Sequence, residues 1–80
     1  MMVEEVARQA IDGGASQLAP WVWGYGNCEH SIDLSFMALT HGNEVGGLAV
    51  VLRLVKAIKS GELRVPGSLA IILGNVEAFR

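Results

Sequence analysis

The sequence predicts an α/β fold, specifically the βαβ portion of a mostly parallel, helix-covered sheet that is incomplete on its own. Three observations lead there. Val45 to Lys59 is apolar at helical spacing and lies between two apolar, strand-like runs, residues 31–40 and 68–73. Strand, helix and strand in that order form a βαβ unit, with parallel strands and a right-handed crossover. The chain is also short and apolar for its size: 80 residues, 51% hydrophobic and 18% charged, with mean hydropathy +0.40. A chain of this length buries only roughly 60–65% of its unfolded surface. Two strands and one helix do not close a core, so residues 1–80 read as a single partial domain.

Each element has its own signal. Val3, Val6, Ala7, Ala10 and Ile11 recur at i, i+3, i+4, i+7 and i+8, one face of an amphipathic helix. Gly13-Gly14 then offers a stop, because glycine accepts the left-handed conformation of a helix C′ position. Residues 15–30 are the least regular; Trp21-Val22-Trp23 has strand character, and Gly24-Tyr25-Gly26-Asn27 reads as a turn. In Ser31 to Thr40, Ile32, Leu34 and Phe36 alternate with polar residues before the run becomes apolar on both faces. That pattern predicts a strand half exposed at first and fully buried later. In the helix that follows, only Gly46, Ala49, Arg53, Lys56 and Ser60 form a narrow non-apolar stripe. Asn43 suits its N-cap, Glu44 its positive end, Lys56 and Lys59 its negative end, and Gly61 its C′ position. Pro66-Gly67 marks a turn, and Ser68 to Leu73 reads as a second buried strand.

Bulk properties exclude several classes. Six basic residues against eight acidic ones leave a net charge of −2, unsuited to binding nucleic acid. The N-terminus carries Glu4 and Glu5 rather than a basic region, so it is not a secretory signal, and no run of 18 apolar residues would span a membrane. Cys28 is the one cysteine, which excludes an intrachain disulfide and favours a reducing, cytoplasmic setting.

In open α/β sheets, ligands bind at the carboxyl ends of the strands. His41-Gly42-Asn43-Glu44 follows the first parallel strand and Gly74-Asn75 follows the second, so both polar turns fall on one edge. His41 and Glu44 are three apart across a strand-to-helix turn, a spacing that lets imidazole and carboxylate point at one zinc ion. On spacing alone the metal signal is weak, and the favoured reading is Glu44 serving the helix dipole with His41 as a plain turn residue.

Ala38-Leu39-Thr40-His41-Gly42-Asn43-Glu44 resembles the zinc-binding turn of the succinylglutamate desuccinylase/aspartoacylase family, which is related in fold to zinc carboxypeptidases. The second block, Ile71-Ile72-Leu73-Gly74-Asn75-Val76-Glu77-Ala78, resembles the family's strand running into Gly-Asn-Pro-x-Ala, with Val76 in the usual proline's place. The link Ser60-Gly61-Glu62-Leu63 is similar too, and the likeness covers roughly residues 32–80. The resemblance implies a zinc-dependent amidohydrolase acting on N-acyl amino acids, with His41 and Glu44 as two of three metal ligands. It further implies that the third ligand, a histidine, the substrate-binding arginines and the general-base glutamate lie beyond residue 80, so the 80 residues alone are expected to be inactive.

Other features have simpler readings. Cys28-Glu29-His30 groups three ligand types but lacks a second pair, and reads as a turn. Trp21, Trp23 and Tyr25 either line a pocket or pack an edge of the sheet. Gly24-Tyr25-Gly26 lacks the third glycine of a nucleotide loop, since Glu29 stands there. Arg53, Lys56 and Lys59 form a solvated helix face, and Asn75 either caps its turn or shapes the site. A rival to the hydrolase is a non-catalytic βαβ module that survives as a homo-oligomer through its apolar faces.

Overall fold

The computed structural model of the chain describes residues 2–29, 31–38, 45–65 and 67–76. Among them the order is α1 (Met2–Asp12), β1 (Ser16–Ala19), β2 (Val22–Tyr25), β3 (Leu34–Ala38), α2 (Val45–Ser60) and β4 (Leu69–Leu73). The four strands form one sheet in the order β1-β2-β4-β3. β3 and β4 pair in parallel, with Leu34 opposite Leu69 and Ala38 opposite Leu73. The βαβ unit read from the sequence is therefore present, and the fold is α/β.

The expected mostly parallel sheet is not what forms, because the sheet is mixed. β1 with β2 and β2 with β4 are both antiparallel. The cause is a hairpin that the sequence reading left irregular. Pro20 and Trp21 are its two loop residues, with Ala19 opposite Val22, and Trp21 takes a φ of 61°. Proline at the first corner and a positive φ at the second is the type II pattern. The hairpin's first strand, Ser-Gln-Leu-Ala, is exposed along its whole length and interrupted by a register shift between Gln17 and Ala19.

Both helices cover one face of the sheet. Leu69, Ile71 and Leu73 of β4, with Trp23 and Tyr25 of β2, join Val3, Val6 and Ala10 of α1 and Leu48, Val51 and Val55 of α2 in one core. The amphipathic reading of α1 holds for Val3, Val6 and Ala10, while Ile11 is largely exposed. Gly14, at φ 98°, ends α1, and Gly61, at φ 84°, ends α2. The stripe of Gly46, Ala49, Arg53, Lys56 and Ser60 is exposed throughout, as its spacing predicts. Asp12 and Lys59 pair at 3.8 Å where the helix ends meet. Along α1, Arg8 and the buried Gln9 donate hydrogen bonds to the half-buried Glu5 carboxylate and hold its pKa down to about 2.

A second correction concerns β3. Its later half was expected to be buried on both faces, yet Leu34 through Met37 are exposed and only Ala38 is buried. Among the described residues β3 is the outer strand, bordered by β4 alone. No described helix is long and apolar enough to cross a membrane.

Candidate functional site

The parallel pairing brings the carboxyl ends of β3 and β4 to one place. Ala38 closes β3 opposite Leu73, which closes β4. Two backbone hydrogen bonds hold the exit of β4 between its neighbours. The amide of Leu73 donates to the carbonyl of Trp21 at 2.9 Å, and the amide of Gly74 donates to the carbonyl of Ala38 at 2.8 Å. Asn75 is then exposed, and Val76 is buried in the core. Valine in the place of proline thus gains apolar packing where proline would have supplied backbone stiffness.

His41 and Glu44 belong to residues 39–44, which lie outside the described residues, as does Asn43, the expected N-cap of α2. The described flanks are Ala38, clamped to Gly74, and the start of α2 at Val45. In sequence, the segment bearing both side chains links the end of β3 to the start of α2.

The opposite ends of these strands are fixed by side chains. The Asp33 amide donates to Ser68 Oγ at 2.9 Å, and the Ser68 amide donates to Asp33 Oδ2 at 3.0 Å. Ser68 Oγ in turn donates to the Ser31 carbonyl at 3.0 Å, and the Leu34 amide donates to the Ser68 carbonyl at 3.2 Å. Ser68 is buried, so this reciprocal pair sets the register of β3 against β4 away from water. A slip of one residue would move every side chain to the other face. Ser68→Ala removes the Oγ partner and leaves the Asp33 amide and Ser31 carbonyl short of theirs. It is expected to lower unfolding free energy by about 1–3 kcal/mol, read from urea midpoints at unchanged m. Neither partner was singled out from the sequence. Asp33 and Ser68 are 35 apart, and only strand pairing brings them together.

The remaining candidates serve structure. Trp23 and Tyr25 sit on the inner strand β2 and are buried, so they do not pack an edge of the sheet. Trp21 is half-buried and meets Trp23 edge to face at 6.1 Å between ring centroids. The Tyr25 hydroxyl has no hydrogen-bond partner among the described residues, and burial pushes its pKa up to about 12. It is therefore a neutral core phenol at physiological pH. Cys28 is half-buried, its thiol directed at the Tyr25 carbonyl at 3.5 Å. His30, the third residue of that cluster, lies outside the described residues. Among the described residues no three His, Cys, Asp or Glu side chains come together as a metal set.

No family model and no solved structure matches the chain. Among curated proteins it is similar to the succinylglutamate desuccinylase of Pseudomonas paraeruginosa (strain DSM 24068 / PA7), with 36% identity over 67 residues. Any 67-residue stretch of an 80-residue chain includes residues 14–67, so His41 and Glu44 fall inside the matched span. That span is 84% of this chain and 19% of the desuccinylase, so the chain spans about a fifth of the length of the relative it matches.

Proposed function

We propose that this chain is the part of a zinc-dependent amidohydrolase that carries two metal ligands, His41 and Glu44, and that the complete protein cleaves the amide bond of N-acyl amino acids. One observation carries the reading. A His-x-x-Glu segment joins β3 to α2 at the carboxyl edge shared by β3 and β4, within the span similar to succinylglutamate desuccinylase.

The donor set suits the ion. An imidazole nitrogen and a carboxylate oxygen are ordinary zinc donors. Gly42 between them leaves room for a tight backbone turn. Zinc held in such a set polarises a carbonyl group and makes bound water more acidic. The chain's own contribution would be to fix the strands that flank the ligand segment. The Asp33–Ser68 pair fixes strand register at one end, and the Gly74–Ala38 bond ties the strands together at the other. A third ligand, the general base and the groups that clamp substrate carboxylates are not assigned to any residue here. The lone cysteine accords with a cytoplasmic protein.

Zinc titration of the chain, followed by calorimetry, tests the reading. Two ligands bind weakly, and His41→Ala and Glu44→Ala are each expected to weaken binding by at least about tenfold, as loss of a ligand does. Zinc affinity indifferent to both substitutions overturns the assignment.

A further inference from the structure

The hairpin joining β1 to β2 turns at the carboxyl edge of β3 and β4. β2 runs antiparallel to β4, with Val22 opposite Ile72. Continuing that register by one residue sets Trp21 against Leu73, and Leu73 stands opposite Ala38 in the parallel pairing. Trp21, Leu73 and Ala38 thus form one row across the three strands. The row is bonded from both sides of β4. The Trp21 carbonyl accepts the Leu73 amide at 2.9 Å, and the Ala38 carbonyl accepts the next amide, that of Gly74, at 2.8 Å. Ala38 is also the last described residue before the 39–44 segment.

Trp21 holds this place in a costly conformation. Among the described residues it is the one non-glycine residue with a positive φ, 61°. A bulky side chain is a steric outlier there, and a type II turn calls for glycine or asparagine at this corner. A type II turn in a two-residue hairpin also works against the strand twist that type I′ and II′ turns match. The register shift between Gln17 and Ala19 falls directly before it. Strained backbone of this kind persists only where its surroundings over-determine it, and it clusters at functional sites. The left-handed corner sets the direction of the Trp21 carbonyl, and that direction meets the Leu73 amide.

We propose that Trp21 is a positioning residue for the candidate metal site. Its left-handed backbone, rather than its indole, aims the carbonyl that holds the exit of β4. Through the Gly74–Ala38 bond this also holds the end of β3 that leads into the ligand segment. The consequence for zinc rests on the proposed roles of His41 and Glu44; the bonded row does not. All the contacts involved lie within this chain, between β2, β3 and β4. The competing role for Trp21 is packing, since its ring meets Trp23 edge to face at 6.1 Å. Were packing all that it supplied, every variant lacking the ring would loosen the row alike.

Three substitutions in the 80-residue chain separate the two roles. Trp21→Gly and Trp21→Asn lose the ring but accept a left-handed backbone, whereas Trp21→Val loses the ring and is driven out of that conformation. Amide exchange at Leu73 is read relative to the α2 amides of the same sample, which corrects for any change in global stability. Zinc affinity is read by calorimetry. The Gly and Asn variants are expected to keep the parent's relative protection at Leu73 and its zinc affinity. Trp21→Val is expected to speed relative exchange at Leu73 by at least about tenfold, as loss of one hydrogen bond does. It is also expected to weaken zinc binding by at least about threefold, a smaller loss than removing a ligand. Gly and Asn variants that loosen Leu73 assign the effect to the indole and overturn the inference, whether or not Trp21→Val folds. So does a folded Trp21→Val chain that keeps either Leu73 protection or zinc affinity. The exchange readout needs no metal, so failure of the metal assignment, seen with His41→Ala and Glu44→Ala, is told apart from failure of this inference.

Discussion

Ile71→Ala is expected to destabilise the chain by about 3–4 kcal/mol, within the range for truncating a buried isoleucine. Ile71 is fully buried at the middle of β4, between Trp23 on one neighbouring strand and Phe36 on the other. Its side chain faces the helices, in one cluster with Leu48, Val51 and Val55. The truncation leaves a cavity that these neighbours cannot close, because they are anchored on a helix and on two other strands. A chain of this length has a total stability of about 4–12 kcal/mol. One substitution therefore consumes a large share of it and lowers the thermal midpoint by roughly 15 °C. Ile71→Val is the control, with an expected cost of about 0.5–1.5 kcal/mol because the cavity is a single methyl group. Ile72, next in sequence, points to the face away from the two helices and is only half-buried, so Ile72→Ala is expected to cost less than Ile71→Ala. The comparison is read from thermal melts at one protein concentration, since any self-association would make the midpoint concentration-dependent. Equal losses at positions 71 and 72 would contradict a core that lies between the helices and one face of the sheet.

That asymmetry also explains what the sequence made legible. α1, α2 and β4 were readable because each buries a periodic apolar face, and the exposed stripe of α2 follows from its spacing alone. The parallel pairing of β3 with β4 followed from the apolar helix between them. β1 was not readable, because Ser-Gln-Leu-Ala has neither alternation nor strand propensity and is held by its hairpin partner. The turn that makes the hairpin places tryptophan at a positive φ, where glycine would have been the recognisable signal. β3 misled in a different way. Its apolar run is what a strand with neighbours on both sides would have, and among the described residues only β4 borders it. For the site, residue order predicted a common edge for the 41–44 and 74–75 turns. The parallel register and the Gly74–Ala38 bond bring the two strand ends that lead into those turns together. The Asp33–Ser68 pair was out of reach, because nothing local distinguishes that aspartate from any other near the start of a strand.

Gly26→Ala is the second substitution with a large expected effect, about 2–5 kcal/mol. Gly26 has a φ of 77°, and a Cβ built there runs into the carbonyl oxygen of Gly67. Two costs combine. A side chain in the left-handed region costs about 1–2 kcal/mol. Forcing apart a close backbone contact costs roughly 1–3 kcal/mol more. Gly61→Ala separates them, because Gly61 also has a positive φ, 84°, but has open space where its Cβ would go. It is expected to cost about 1–2 kcal/mol, the backbone component alone. The difference between the two variants, from urea unfolding, measures the contact between the end of β2 and the start of β4. That contact adjoins the clamp, since Gly67 packs against the Asp33 carboxylate and precedes Ser68. If Gly26→Ala pushes Gly67 away, the Ser68 amide leaves Asp33 as well, and part of the loss is already that of the clamp. Gly26→Ala and Ser68→Ala should therefore combine to less than their sum, as substitutions sharing one set of partners do. Full additivity would mean that the glycine contact and the clamp are independent, and that strand register at this end has two separate supports.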